Sequence, residues 1–296
     1  MTPLGAFFDS YYRLRPVNAT FTGVHDHDHR LPDWSPEGLG AALDEMRALR
    51  RVLSDSLQRL RPHRGPQRGP HARQPREGPE RGSRAGVARL AADVGIRGEM
   101  SATARDGGAP SPVEKKIADL DLAIAFLDVQ IAEHESDHFQ RGNPSLAAGE
   151  AIFGIITLMT RPFAPTSQRV DTAIARLTAI PGFLHGARRS IADVPDAWRA
   201  KCLRECVGAG RLLGDGIRTW IAIESVDHRR AGHLTRAAAV AMQAFEDFRV
   251  WLERDAAAAP SDRCASGPKL FDLLLARGHW CDRAREQARA CVLLGE

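Results

Sequence analysis

Apolar and polar positions alternate along this chain with the spacing of helices, and strand-like alternation is weak throughout. From Ile117 the apolar residues Ile117, Leu120, Ile124, Leu127 and Ile131 recur every three or four positions, laying one stripe along a helix. His134 and His138 fall on the same stripe. Gly142, Asn143 and Pro144 end it, because Pro has no N–H for the preceding turn and holds its predecessor out of the helical region. A nearly all-apolar helix, from Ser145 to Met159, is expected next, as the buried centre of the fold.

The same pattern runs through the rest of the chain. Residues 4–14 make a short helix that Pro16 ends, and residues 16–34 read as an extended connection. Ser35 as N-cap and Pro36 as first residue open a helix to Leu60, with Leu39, Leu43, Met46, Leu49, Leu53, Leu57 and Leu60 on one face. A helix from Gln168 to Ile180 is kinked or interrupted at Pro181 and resumes to Ile191. Another starts at Pro195 and carries glycines that predict close helix contact or a break near Gly214. Leu234 to Glu253 follows, with Ala238, Met242, Phe245, Phe248 and Trp251 on one face. Two short helices, Pro268–Leu275 and Arg283–Leu294, finish the chain. The fold class is all-α, a bundle-like array of many helices with one long disordered segment.

That segment stands out by composition. Between Arg61 and Gly86 there is no Val, Ile, Leu, Met, Phe, Tyr or Trp, so it cannot bury enough surface to offset its ordering entropy. We divide the chain into helices 1–60, a disordered Arg/Pro/Gly-rich segment 61–113 and a main helical domain 114–296, the first part belonging with the third. With 296 residues, 43% hydrophobic and 26% charged, the folded parts can bury a sizeable core. The net charge of +4 is more than accounted for by Arg61 to Arg105, so charge alone does not indicate a nucleic-acid partner. The segment reads as a linker, as a basic arm for nucleic acid or anionic lipid, or as a shifted reading frame, since Arg, Pro, Gly and Ala share GC-rich codons. No apolar run approaches the ~18 residues of a membrane span, and the first residues lack the regions of a secretory signal. The compartment reads as cytoplasm.

Candidate chemistry is sparse. His134-Glu135-Ser136-Asp137-His138 matches His-Glu-x-x-His, in which two His one turn apart can both reach Zn²⁺ and the Glu serves as general base. Spacing fixes no third ligand; Glu150, His185, Glu205 and Glu224 are the candidates, with Glu150 and Glu224 preferred. The commoner outcome for such a pair is two His hydrogen-bonded at a core edge. His25, Asp26, His27, Asp28 and His29 read as a metal cluster or, more simply, as a polar loop with local Asp turns. The five cysteines, among them Cys202 and Cys206 one turn apart, form no Cys-x-x-Cys pair. Phosphate-cradling Gly loops and Gly-x-Ser-x-Gly elbows do not occur in the sequence.

Several segments, FFDSYYRLRPVNATFTGVHDHDHRLPDWSPEGL, HFQRGNPSLAAGEAIFGIITLMTRPFAP, ARLTAIPGFL and KLFDLLLARGH, resemble the bacterial family catalogued as domain of unknown function 885. The resemblance covers about residues 6–60 and 115–282 and vanishes between them. It implies a mostly helical protein similar to zinc metallopeptidases, whose His-Glu-x-x-His motif lies beyond the matched region. The expectation is therefore a helical N-terminal portion, truncated before its catalytic half and inactive alone. A peptide substrate is expected only together with that half. The alternatives are a helical binding module using the basic arm, and a zinc hydrolase built on His134, Glu135 and His138.

Overall fold

The computed structural model describes residues 1–61, 110–136 and 143–281, with 285 and 287 singly. The order is α1 (Pro3–Leu14), α2 (Pro16–Thr22), α3 (Pro36–Leu60), α4 (Pro112–Glu135), α5 (Pro144–Thr160), α6 (Thr166–Ser190), α7 (Asp196–Arg211), α8 (Ile217–Ile223), α9 (His228–Arg254) and α10 (Gly267–Leu273). A two-residue parallel bridge, β1 (Val194–Pro195) with β2 (Ala258–Ala259), is the extent of sheet among the described residues. The protein is all-α, and the segment expected to be disordered lies outside the described residues apart from its two ends.

Each of α1 to α5 has a proline at its start, where the missing N–H costs nothing and φ is already helical. This corrects the extended reading of residues 16–34: Pro16 both ends α1 and opens α2. Ser35 caps α3 by accepting from the Gly38 N–H at 3.1 Å, as expected. On α4 Ser111 and Glu114 form a full capping box, so the helix begins at Pro112, inside the segment assigned to disorder. Pro181 does not interrupt α6; Leu177, Ile180, Phe183 and Leu184 are buried on both sides of it, and this packing outweighs the lost hydrogen bond. The break expected near Gly214 is a π turn, Leu212–Gly216, joining α7 to α8. On α9 Met242 is exposed and Ala241 takes the buried place expected of it. Arg283–Leu294 lies outside the described residues, save 285 and 287.

The apolar side chains form two clusters. A smaller layer joins α1, α3 and α4 through Phe7, Met46, Leu53, Leu57, Leu120, Ala123, Ile124 and Leu127. A larger core joins α5 to α9, with Leu158, Leu177, Phe245 and Leu252 among its buried members. α2 and the loop behind it connect the two. Gly154 makes the docking on α5 possible, since a Cβ there would stand 3.2 Å from both Val17 and Leu31. Arg176 of α6, 0% exposed, locks this junction. It donates to the carbonyls of Gly154 (2.6 Å), Arg30 (3.1 Å) and Pro16 (3.2 Å), and to Thr20 Oγ1 (2.6 Å).

Candidate functional site

Where the two clusters meet, a cavity of about 400 Å³ opens between α3, α4, the residue 30–34 loop and α5. Its lining includes three arginines, Arg13, Arg15 and Arg30, and three carboxylates, Asp33, Glu45 and Glu150. Arg13 pairs with Glu45, and Asp33 accepts from the Ser35 N–H (3.0 Å) and hydroxyl (2.7 Å), so both carboxylates are committed. Arg15, at the joint of α1 and α2, lies between the rings of Tyr11 (5.2 Å) and Phe126 (5.0 Å) and donates to Gln130. Burial lowers the Arg15 pKa, against the pull of Tyr11, Glu150 and Glu133.

Glu150 differs from the other carboxylates. It projects from α5 into the cavity wall, half-buried, with no hydrogen-bond or ion-pair partner among the described residues. Burial pushes its carboxyl up to about 7, against the opposing fields of Arg176 and Arg15. The Arg30 side chain at the rim is exposed and also has no such partner among the described residues. One half-buried carboxyl and one exposed guanidinium thus lie on the same cavity without an ion-pair partner among the described residues.

Behind the wall a relay holds the loop. Arg176 donates to Thr20 Oγ1, which donates to Asp28 Oδ1 at 2.5 Å, and His25 Nδ1 lies 2.9 Å from Asp28 Oδ2. The His25 ring stacks on Phe163 with centroids 4.0 Å apart. Asp28, 6% exposed, therefore serves as the buried counter-charge of Arg176, and the His/Asp run is a structural loop in its Asp28 and His25. Burial lowers the Arg176 pKa to about 10, leaving it charged at neutral pH.

The sequence-nominated residues are dispersed. His134 of α4 lines the cavity together with Glu150, and also a neighbouring one of about 340 Å³ bounded by Leu39, Leu43 and Ser190. Glu135 points elsewhere: it accepts from Arg47 at 2.7 Å, in a groove with Arg50 and Asp128. His138 lies outside the described residues. Glu224 accepts from Thr166 and Arg169, each at 2.7 Å, and these bonds hold its carboxyl below the usual range; it lines neither cavity that His134 lines. His185 is exposed on α6, and Glu205 pairs with Lys201 at 3.1 Å. Among the described residues no three His, Cys, Asp or Glu side chains are grouped to hold a metal, and no helix is long and apolar enough to cross a membrane. Of the basic arm only Arg61 is described, paired with Asp121 at 2.7 Å.

Sequence reasoning passed over Arg15, Arg30 and Arg176. For Arg176 a signal existed: it stands on the apolar stripe of α6 among Val170, Ala173, Leu177 and Ile180, where a charged residue must find buried partners. No curated protein matches the chain. A family model described as bacterial protein of unknown function (DUF885) matches residues 16–288, taking in the whole cavity lining except Arg13, Leu14 and Arg15; the chain belongs to that family.

Proposed function

We propose that the chain is the helical, peptide-holding portion of a metallopeptidase-like protein and does not hydrolyse peptide bonds by itself. The observation that carries this reading is the divergence of His134 and Glu135. His134 faces the cavity with Glu150, whereas Glu135, the proton acceptor a His-Glu-x-x-His site requires, is held by Arg47 in a different groove. Glu224, the other preferred third ligand, is committed to Arg169 and Thr166. The described part of the ligand set does not fit a zinc centre. The cavity suits holding instead: its arginines and carboxylates are balanced, and Leu14, Leu31, Trp34, Leu39 and Met46 add apolar wall. A peptide offers backbone donors and acceptors to the first set and side chains to the second.

Tag-free protein incubated with a peptide mixture and zinc, then followed by mass spectrometry and metal analysis, tests this. The expected result is no cleavage and sub-stoichiometric zinc. Cleavage lost in Glu135→Gln, with stoichiometric zinc lost in His138→Ala, would overturn it.

A further inference from the structure

We propose that the cavity between the two helical layers recognises the free ends of a short apolar peptide, Glu150 taking the α-ammonium and Arg30 the α-carboxylate. This rests on the peptide-holding reading and names the ligand class of that site. The starting point is which polar groups of the wall are already used. Glu45 is held by Arg13, and Asp33 by the cap of α3. Glu150 and Arg30 are left, one acceptor and one donor of opposite charge on a single cavity. An unpaired carboxylate on a half-buried wall is costly, and a ligand that pairs Glu150 recovers that cost on binding, while the exposed Arg30 is accessible to the ligand's other end.

Charge decides between ligand types. The arginines and carboxylates of the lining are equal in number, so a ligand of no net charge enters without a net electrostatic penalty. A zwitterion alone among small neutral ligands supplies a full charge to each unpaired group. An isolated cation could pair Glu150 but would leave Arg30 unmatched, and an isolated anion could pair Arg30 but would leave Glu150 unmatched. The cavity's size, about 400 Å³, is at the lower end of small-ligand pockets and suits a dipeptide rather than an extended chain. Trp34, packed against Phe183 with ring centroids 5.4 Å apart, and Leu31 and Leu39 give an apolar surface for its side chains.

Calorimetric titration of the full chain with leucyl-leucine, its N-acetyl form, its C-terminal amide and the doubly blocked form tests the proposal. Saturable binding of the free dipeptide is expected, with N-acetylation weakening it at least about tenfold, since the half-buried Glu150 is then left unpaired, and amidation weakening it less, about threefold, because Arg30 is exposed to water. Glu150→Gln should erase the difference between the free and acetylated amine, and Arg30→Gln the difference between acid and amide. Neither residue is a core packing group, and the blocked ligands give the same information on the unaltered protein. If all four forms bind alike, or the variants leave discrimination intact, the inference fails while the peptide-holding reading stands. If no form binds, both fail.

Discussion

The larger core and the smaller layer differ in their buried arginines. Beside ion pairs such as Arg169–Glu224, Arg230–Asp171 and Arg249–Glu246, the larger core has arginines that close backbone carbonyls at helix ends. Arg169, 2% exposed, donates to Leu158 and Met159 at the end of α5, and Arg199 donates to Leu252 and Ala256 at the end of α9. Arg176 instead ties α2, α5 and the residue 30–34 loop together through the carbonyls of Pro16, Gly154 and Arg30. In the smaller layer the arginines sit in side-chain pairs nearer the surface: Arg13–Glu45, Arg47–Glu135, Arg50–Asp128 and Arg61–Asp121. The difference separates architecture from decoration. A planar guanidinium fitted to several carbonyls cannot be replaced by another cation, whereas an exposed ion pair is worth little and can be exchanged.

The sharpest way to break this contrast is Arg176→Met. It would take the guanidinium away from the Arg30 carbonyl, from the Pro16 and Gly154 carbonyls that also accept from Thr20 and Thr157, and from Asp28, costing ~4 kcal/mol in urea unfolding, with α2 losing amide-exchange protection first. A loss below ~1 kcal/mol would mean that the junction is not held by this residue.

Next in size is Glu150→Gln. The folded-state pKa of Glu150, about 7, lies above its ordinary value of 4.5, so the folded chain holds the proton more tightly than the unfolded one. The contribution is fully present below pH 4.5 and is lost as pH rises through about 7. Removing the charge should therefore stabilise the protein by ~2 kcal/mol at about pH 8 and by almost nothing at about pH 4. Equal effects at the two pH values in thermal unfolding would show that the carboxyl is not desolvated.

The smallest effect is expected from Arg47→Ala. Both partners of the Arg47–Glu135 pair are well exposed, at 41% and 50%, and its loss should change stability by less than ~0.5 kcal/mol. A cost as large as that of Arg176→Met would erase the distinction between the layers.

These contrasts also explain what the sequence could reveal. The limits of α3 were legible because Ser35-Pro36 states its start in local chemistry, and its Leu/Met stripe states its inner face. α2 was not legible: seven residues carry too little periodicity, and the helix is held by Val17 on Gly154 and by Arg176 on Thr20, contacts from far along the chain. The same holds for the cavity. His134 and Glu150 were both named, but as ligands of one ion; that Glu135 turns to Arg47 depends on where α3 lies against α4. Glu150 and Arg30 come to line one cavity only after the loop is drawn over α5, and no spacing rule encodes that in sequence.

On the proposed reading the seam cavity, not the His-Glu-x-x-His segment, is the working part of this chain. Backbone amide shift mapping of isotope-labelled protein titrated with leucyl-leucine tests it most directly. Saturable shifts centred on Arg30 to Trp34 and on α5 around Glu150 are expected. Shifts centred instead on Arg47, Arg50 and Glu135, or on α4 only after zinc is added, would contradict it.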